Sequence, residues 1–420
     1  MKLALAPFAS RQFRLLFTGE LISFLGTAVA PVAIAFAVLD LTGSATDLGL
    51  VLAAGWLPQI VFVLVGGVLG DRLPRHLVMV GANLLAAAGQ ATSAALLLTG
   101  VARPWHLAAL QAVRGISIAL FFPASQSVVP QVVEPDQLQP ANALVRLGLN
   151  SSNVLGAAVG GVAVAAAGPG YAIAFDAATY LASAVVLARM RIAGVLQAAG
   201  ESVLRELVEG WNEFRSREWL WVIVAAASVG NLVATASLNV LGPLVAKTDL
   251  GGASAYGAIV AAQGAGLLLG GVLSLRWRAR RPLLVGTLGL LPTAVTIACY
   301  AGVRTTAVIA TAAFFAGIGI EIFSINWVTA LHEHIPPAVL SRVSSYDALG
   351  SFVFIPVGLA LAGPLADRFG VTETLWGLLA VGLASVFGAL LSRDVRELQR
   401  LPARREPGEP VAVAAYGEDA

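Results

Sequence analysis

The sequence predicts an all-α membrane protein whose twelve transmembrane helices form two six-helix bundles. Three observations predict it. The 420 residues have a mean hydropathy of +0.82 and only 12% charged residues, too little polar surface for a soluble chain of this size. Apolar runs long enough to cross a bilayer, roughly 18 residues or more, recur twelve times. The chain also repeats itself: Gly66-Gly67-Val68-Leu69 returns as Gly270-Gly271-Val272-Leu273, each followed by a cluster of arginine and another apolar run. A duplicated, apolar chain with short basic connections is the pattern of a transporter.

The first six spans are expected near 15–39, 48–70, 77–100, 105–129, 144–168 and 171–188. The second six are expected near 219–245, 255–275, 282–302, 305–330, 346–366 and 371–391. Residues 1–188 then form one bundle and 219–391 the other. Between them, 189–218 is a charged linker in which Leu204, Leu207, Val208 and Trp211 recur at helical spacing. That spacing predicts an amphipathic helix lying on a membrane face. The tail 392–420 is charged and contains proline, which predicts disorder.

Basic residues divide unevenly between the connections. Arg11, Arg14, Arg72, Arg75, Arg189, Arg191, Arg276, Arg280 and the tail arginines fall on one side, against Arg103, Lys247, Arg304 and Arg368 on the other. The positive-inside rule places the first group and both termini in the cytoplasm. No small-residue cleavage site follows the first apolar run, so that run is expected to be retained as a span. Arginine outnumbers lysine 24 to 2. That usage points to a GC-rich bacterial genome and hence to a bacterial inner membrane. The single Cys299 can form no internal disulfide.

An ionisable group at mid-membrane costs about 2.5–3.5 kcal/mol on insertion scales, so it is expected to face a cavity or a partner. Four spans carry polar residues on one helical stripe. The first has Glu20, Ser23, Thr27 and Pro31; the fourth has Arg114, Ser117, Phe121 and Ser125; the seventh has Ser228, Asn231, Thr235 and Asn239; the tenth has Glu321 and Ser324 with Trp327 beside them. They are every third span of the twelve, and their polar stripes predict a water-filled path between the halves. Substrate-cavity candidates are therefore Glu20, Ser23, Thr27, Arg114, Ser117, Phe121, Asn231, Thr235, Asn239, Glu321, Ser324 and Trp327. A carboxylate held partly out of water binds a proton more readily than one in bulk, which makes Glu321 and Glu20 the proton-coupling candidates. Arg114 would attract an anionic group or pair with a carboxylate. Asp176, in the sixth span, is expected to make a structural hydrogen bond. Asp71, Arg72, Arg75 and Asp347 form a candidate gate latch, in which Asp71 meets the start of the eleventh span. Gly67, Gly70, Gly156, Gly160 and Gly161 are expected to let helices pack closely.

Several motifs carry a family resemblance. Gly67-Val68-Leu69-Gly70-Asp71-Arg72-Leu73-Pro74-Arg75-His76 resembles the loop signature between spans two and three of the major facilitator superfamily, with Pro74 where glycine is usual. Gly156-Ala157-Ala158-Val159-Gly160-Gly161 resembles its glycine-rich antiporter signature, with Ala157 in place of the usual proline. Asn142-Ala143-Leu144, Phe175-Asp176-Ala177-Ala178 and residues 341–351 look like the branch that includes macrolide-efflux and siderophore-export proteins. Arg114 resembles the superfamily's fourth-span arginine. The resemblance spans nearly the whole chain. It implies the major facilitator fold, alternating access, a monomer, and efflux of a drug or natural product.

No phosphate-binding loop is present, and the glycine-rich segments lie in helices with no strand before them. No cofactor and no nucleic-acid partner are therefore expected, and energy must come from an ion or substrate gradient. No nucleophile–base pair or metal-ligand spacing suggests an enzyme. The leading expectation is a proton-coupled exporter of a lipophilic or amphipathic small molecule. The alternatives are an importer or facilitator of a small metabolite and, third, a non-transporting receptor.

Overall fold

The computed structural model describes residues 3–72, 74–134, 137–192, 210–277 and 279–400, apart from the side chains of 63–72 and a few others. Twelve helices among these residues are long and apolar enough to span a bilayer. They run α1 (Arg11–Thr42), α2 (Ala45–Arg72), α3 (Arg75–Leu98), α4 (Pro104–Val132), α5 (Leu138–Ala167) and α6 (Pro169–Leu187) in the first half. The second half holds α7 (Glu218–Leu250), α8 (Ala253–Arg276), α9 (Pro282–Gly302), α10 (Thr306–His334), α11 (Pro337–Phe352, continuing as Ile355–Phe369) and α12 (Val371–Leu391). Each junction has a local cause. The Ser10 hydroxyl accepts the Phe13 amide at the start of α1, and Gly43 ends that helix in the left-handed conformation. Pro104, Pro169 and Pro282 occupy the first turns of α4, α6 and α9, where no amide donor is needed.

Three helices depart from simple apolar rods. α9 breaks between Gly289 and Leu291, next to Pro292, and α11 breaks at Val353–Phe354, ahead of Pro356. α7 winds as a π-helix over Thr235–Leu241 and again over Ala246–Leu250. The Tyr256 hydroxyl donates to the Leu238 carbonyl in the first of these stretches, at 3.2 Å. Helices α5 and α11 also begin earlier than expected, at Leu138 and Pro337. Hydropathy marks only the lipid-crossing part of such a helix and misses its polar first turns.

Among the described residues, the close packing between the halves lies toward one end. We call the end that carries residue 11 and residue 391 the terminal face. One apolar core joins both halves near the opposite face: it includes Phe36, Val38, Leu39 and Leu48 with Val240, Leu241, Tyr256 and Leu359. Toward the terminal face the core divides. Phe13, Leu16, Met79 and Val128 belong to the first half alone, and Trp219, Leu220, Leu331 and Val343 to the second. Small residues let the halves close at the opposite face. A Cβ built on Gly161 of α5 would lie 2.8 Å from the Ala253 carbonyl of α8, and one on Gly49 of α2 would collide with the Leu359 carbonyl of α11. Polar clamps reinforce this end. The Lys247 ammonium meets Asp40 at 2.5 Å and the Leu39 carbonyl at 2.6 Å, and the Thr46 hydroxyl donates to Asp367 at 2.7 Å.

Of the connecting segment, residues 210–215 are helical and dock on the start of α11, with Trp211 and Phe214 against Tyr346. Leu204, Leu207 and Val208 lie outside the described residues, as does the tail beyond residue 400.

Candidate functional site: the central cavity

Between the halves lies a cavity of about 540 Å³, roofed at the opposite face by the joint core. Its size is that of a site for a drug-sized molecule. Polar groups reach it from both halves: Gln59, Gln111, Arg114 and Asn153 from the first, and Asn239 and Gln263 from the second. Trp56, Tyr256 and Tyr300 add aromatic surface, and Pro31 and Leu359 are among its apolar walls.

Arg114 is the one charged residue on this wall among the described residues. Close helix packing puts it there: a Cβ on the adjacent Gly115 would collide with the Gly55 carbonyl, so α2 and α4 approach backbone to backbone. Behind the wall, the Arg114 guanidinium lies beside the Tyr180 hydroxyl of α6 and in the field of Asp176. The Thr27 hydroxyl, also on the wall, donates to the Tyr180 oxygen at 2.9 Å. Asp176 is fully buried and accepts from the Gln90 amide at 2.5 Å. One Asp176 oxygen and the Arg114 Nε have no hydrogen-bond partner. Glycine is required at position 26, where a Cβ would lie 2.7 Å from that free Asp176 oxygen and would collide with the Thr179 hydroxyl. The first half therefore holds a buried cation–carboxylate cluster one layer from the cavity.

The sequence candidates divide by location. Thr27, Arg114 and Asn239 line the cavity. Glu20 and Ser23 are buried within the first half; one Glu20 oxygen accepts the Ser125 hydroxyl and the other has no partner. The Ser117 hydroxyl bonds back to the Val113 carbonyl, and Phe121 packs on the first half's own core. Asn231 donates to the Ser351 carbonyl at 2.9 Å, while the Thr235 hydroxyl bonds the Asn231 carbonyl. Trp327 is buried in the second half's core, stacked on Phe323, edge-on to Trp219, with its indole N–H donating to Asp347 at 3.0 Å. Ser324 is exposed. Glu321 lies against Gly270 and Gly271 of α8, half-buried, with Arg146 of the first half acting on its charge.

For the latch, Asp347 accepts from Trp327 and from Ser351, both in its own half. Arg75 donates to the Ser127 carbonyl at 2.8 Å. The side chains of Asp71 and Arg72, and the surroundings of Gly67 and Gly70, fall outside the described residues. Gly156 and Gly160 seat α5 on Ala28 and Val29 of α1, whereas Gly161 faces α8 across the interface.

The polar stripes did not point to Gln59, Asn153 or Gln263. Gln59 and Gln263 are each an isolated amide in an apolar run of α2 or α8, and Asn153 ends the polar stretch Asn150-Ser151-Ser152-Asn153 of α5; these were the available signals, because an amide inside a span needs a partner or water.

Comparison with known proteins agrees with this architecture. Residues 2–282 match the family described as transmembrane secretion effector. Macrolide efflux protein A of Streptococcus pyogenes is 25% identical over 397 residues, covering 93% of this chain and 97% of that protein. The multidrug efflux pump Tap of Mycolicibacterium fortuitum is 27% identical over 382 residues, covering 86% and 92%. Among solved structures, the nucleoside transporter NupG superposes with a TM-score of 0.72 at 13% identity, covering 93% of this chain and 100% of that one. An inward-facing, occupied bacterial homolog of the human lysosomal transporter Spinster gives 0.72 at 14% identity, covering 90% and 95%. The chain belongs to the transmembrane secretion effector family of the major facilitator superfamily and is a multi-pass membrane transporter of small molecules, not an enzyme.

Proposed function

We propose that the protein exports lipophilic or amphipathic small molecules from a bacterial cell by proton-coupled alternating access. The observation that carries this reading is a drug-sized cavity between halves whose shared apolar core, among the described residues, lies toward the opposite face. With the arginine-rich terminal face in the cytoplasm, this is the inward-facing state, ready to load. Rocking the halves would part the Lys247–Asp40 and Thr46–Asp367 clamps and bring the terminal ends together. The names of the macrolide and multidrug efflux relatives support the outward direction.

The coupling proton would reside on Glu20 or Glu321. Glu20 is buried with one oxygen free, so neutralising it removes an exposed cost whenever the surrounding helices move. Glu321 faces Arg146 across the cleft, so its charge senses whether the halves are apart. The transporter would act as a monomer, with the central cavity complete within one chain.

A second reading has its own support. Gln59, Gln111, Asn153, Asn239 and Gln263 form an amide lining suited to a polar, uncharged metabolite, which would be taken up or equilibrated. Purified protein in liposomes separates the two. Lipophilic antibiotics and dyes are added across an imposed pH gradient, and proton movement is followed for the parent and for Glu20→Gln and Glu321→Gln. Export predicts compound-dependent proton movement, lost in one of the two variants. Uptake of labelled metabolites with no proton movement would replace it with the second reading.

A further inference from the structure

A second chamber, of about 200 Å³, lies wholly inside the second half, among α7, α9, α10 and α12. Its walls include Ile223, Leu290, Ile297, Ile320, Phe323 and Val386, and no charged or histidine side chain lines it among the described residues. It is distinct from the central cavity, separated by the thickness of one helix. On α9, Thr293 and Ile297 face the chamber while Thr296 and Tyr300 face the cavity.

Two hydroxyls set the chamber apart. Thr287 is 2% exposed, and its hydroxyl has no hydrogen-bond partner. The Thr293 hydroxyl is also buried without one. Several helical threonines of this chain return their hydroxyl to the carbonyl four residues back, among them Thr92, Thr235, Thr296, Thr311 and Thr329. Thr287 and Thr293 flank the break in α9, where the helix ladder is interrupted and Leu290 and Thr293 bond only three residues back. Both threonines line the chamber. A buried hydroxyl without a partner costs free energy that a bound group recovers.

The occupant's chemistry follows from the walls. A charge has no counter-ion here. A water molecule could bond both hydroxyls, but it takes up about 30 Å³ and leaves most of the apolar space of the chamber unfilled. An apolar cavity of about 150 Å³ is already large enough to take up benzene. Access is from the side: Ala226 and Ser385, on the chamber wall, also line an open groove on the outer surface of α7 and α12, beside Trp221, Val222 and Val381. A molecule dissolved in the bilayer meets that groove first.

We propose that this chamber binds a small, uncharged, mainly apolar ring compound bearing one hydroxyl or carbonyl, which enters from the bilayer between α7 and α12. The polar group bonds Thr287 and Thr293, and the ring fills the apolar space. The site is independent of the direction and coupling of transport.

Thermal unfolding of the purified protein with phenol and with toluene, which are close in size, tests this. Both probes should raise the midpoint as their concentration rises. Thr287→Val with Thr293→Val keeps the shape and removes the hydroxyls. It should cut the preference for phenol over toluene about tenfold, the worth of roughly one hydrogen bond. Gly230→Leu should abolish both shifts: Gly230 lines the chamber, and a Cβ there meets nothing within 4 Å. Its midpoint without probe should equal or exceed that of the parent, which controls for folding. Equal shifts in the parent and Gly230→Leu would overturn the proposal, as would no shift in the parent. A phenol preference unchanged in the double valine variant would overturn the assigned role of the hydroxyls even if Gly230→Leu failed to fold.

Discussion

The two six-helix halves share a layout and differ in what they bury. The first half holds Glu20 and Asp176 out of water, with Arg114, Tyr180 and Gln90 arranged around the latter. The buried polar groups of the second half, among the described residues, are hydroxyls and an amide: Ser228, Ser237, Thr287, Thr296 and Asn326 among them. A charge inside a bundle constrains every neighbour, because moving it away from its partner is costly. Hydroxyls and empty space impose no such constraint. The difference leaves the first half the more constrained of the two and the second half with room for an uncharged chamber.

Breaking the charged cluster should have the largest effect. Arg114→Met strands Asp176 as a buried carboxylate, and about 3–5 kcal/mol of stability should be lost, together with transport. Adding Asp176→Asn should restore most of the stability but not the transport; thermal unfolding and proteoliposome flux read the two separately. In the second half, Asn231→Leu leaves only the Ser351 carbonyl without its donor and should cost about 1 kcal/mol.

Glycines sharpen the same contrast at a smaller scale. Gly26→Ala drives a methyl into Thr179 and Asp176 and should cost about 1–3 kcal/mol by the same measurement. Gly230→Leu, in the chamber of the second half, should cost nothing. A small but measurable effect belongs to the clamp between the halves. Lys247→Met removes a partly exposed ion pair worth about 0.2–1 kcal/mol. It should move the balance toward an open opposite face by at most about fivefold, which thiol accessibility of a cysteine at Ala45, buried in the joint core, would report.

The fold was legible because it rests on hydropathy and length, which read directly from the residues. The cavity was legible in part, for a geometrical reason. A helix in such a bundle has two faces that tolerate polar groups, one toward the cavity and one toward the interior of its own half. The spacing of Glu20, Ser23 and Thr27 is the same whichever face they occupy, so periodicity groups them. Only the neighbouring helices separate Thr27, on the cavity wall, from Glu20, sealed under Ser125. Likewise Asn231 and Asn239 share a stripe, yet the winding of α7 changes to π-helical at Thr235 between them. Asn231 ends on the chamber and Asn239 on the cavity. Trp327 looked like cavity wall and is core, because Trp219, Phe323 and Asp347, distant or different in pattern, surround it.

Alternating access is tested most directly by distances measured on both faces at once. With Cys299 replaced by serine, spin labels at Thr42 and Thr248 report the opposite face, and labels at Asn142 and Trp277 report the terminal face; all four positions are exposed. The account predicts that substrate with a proton gradient lengthens the 42–248 distance and shortens the 142–277 distance in the same fraction of molecules. Distances that stay fixed, or that change in the same direction, would contradict it.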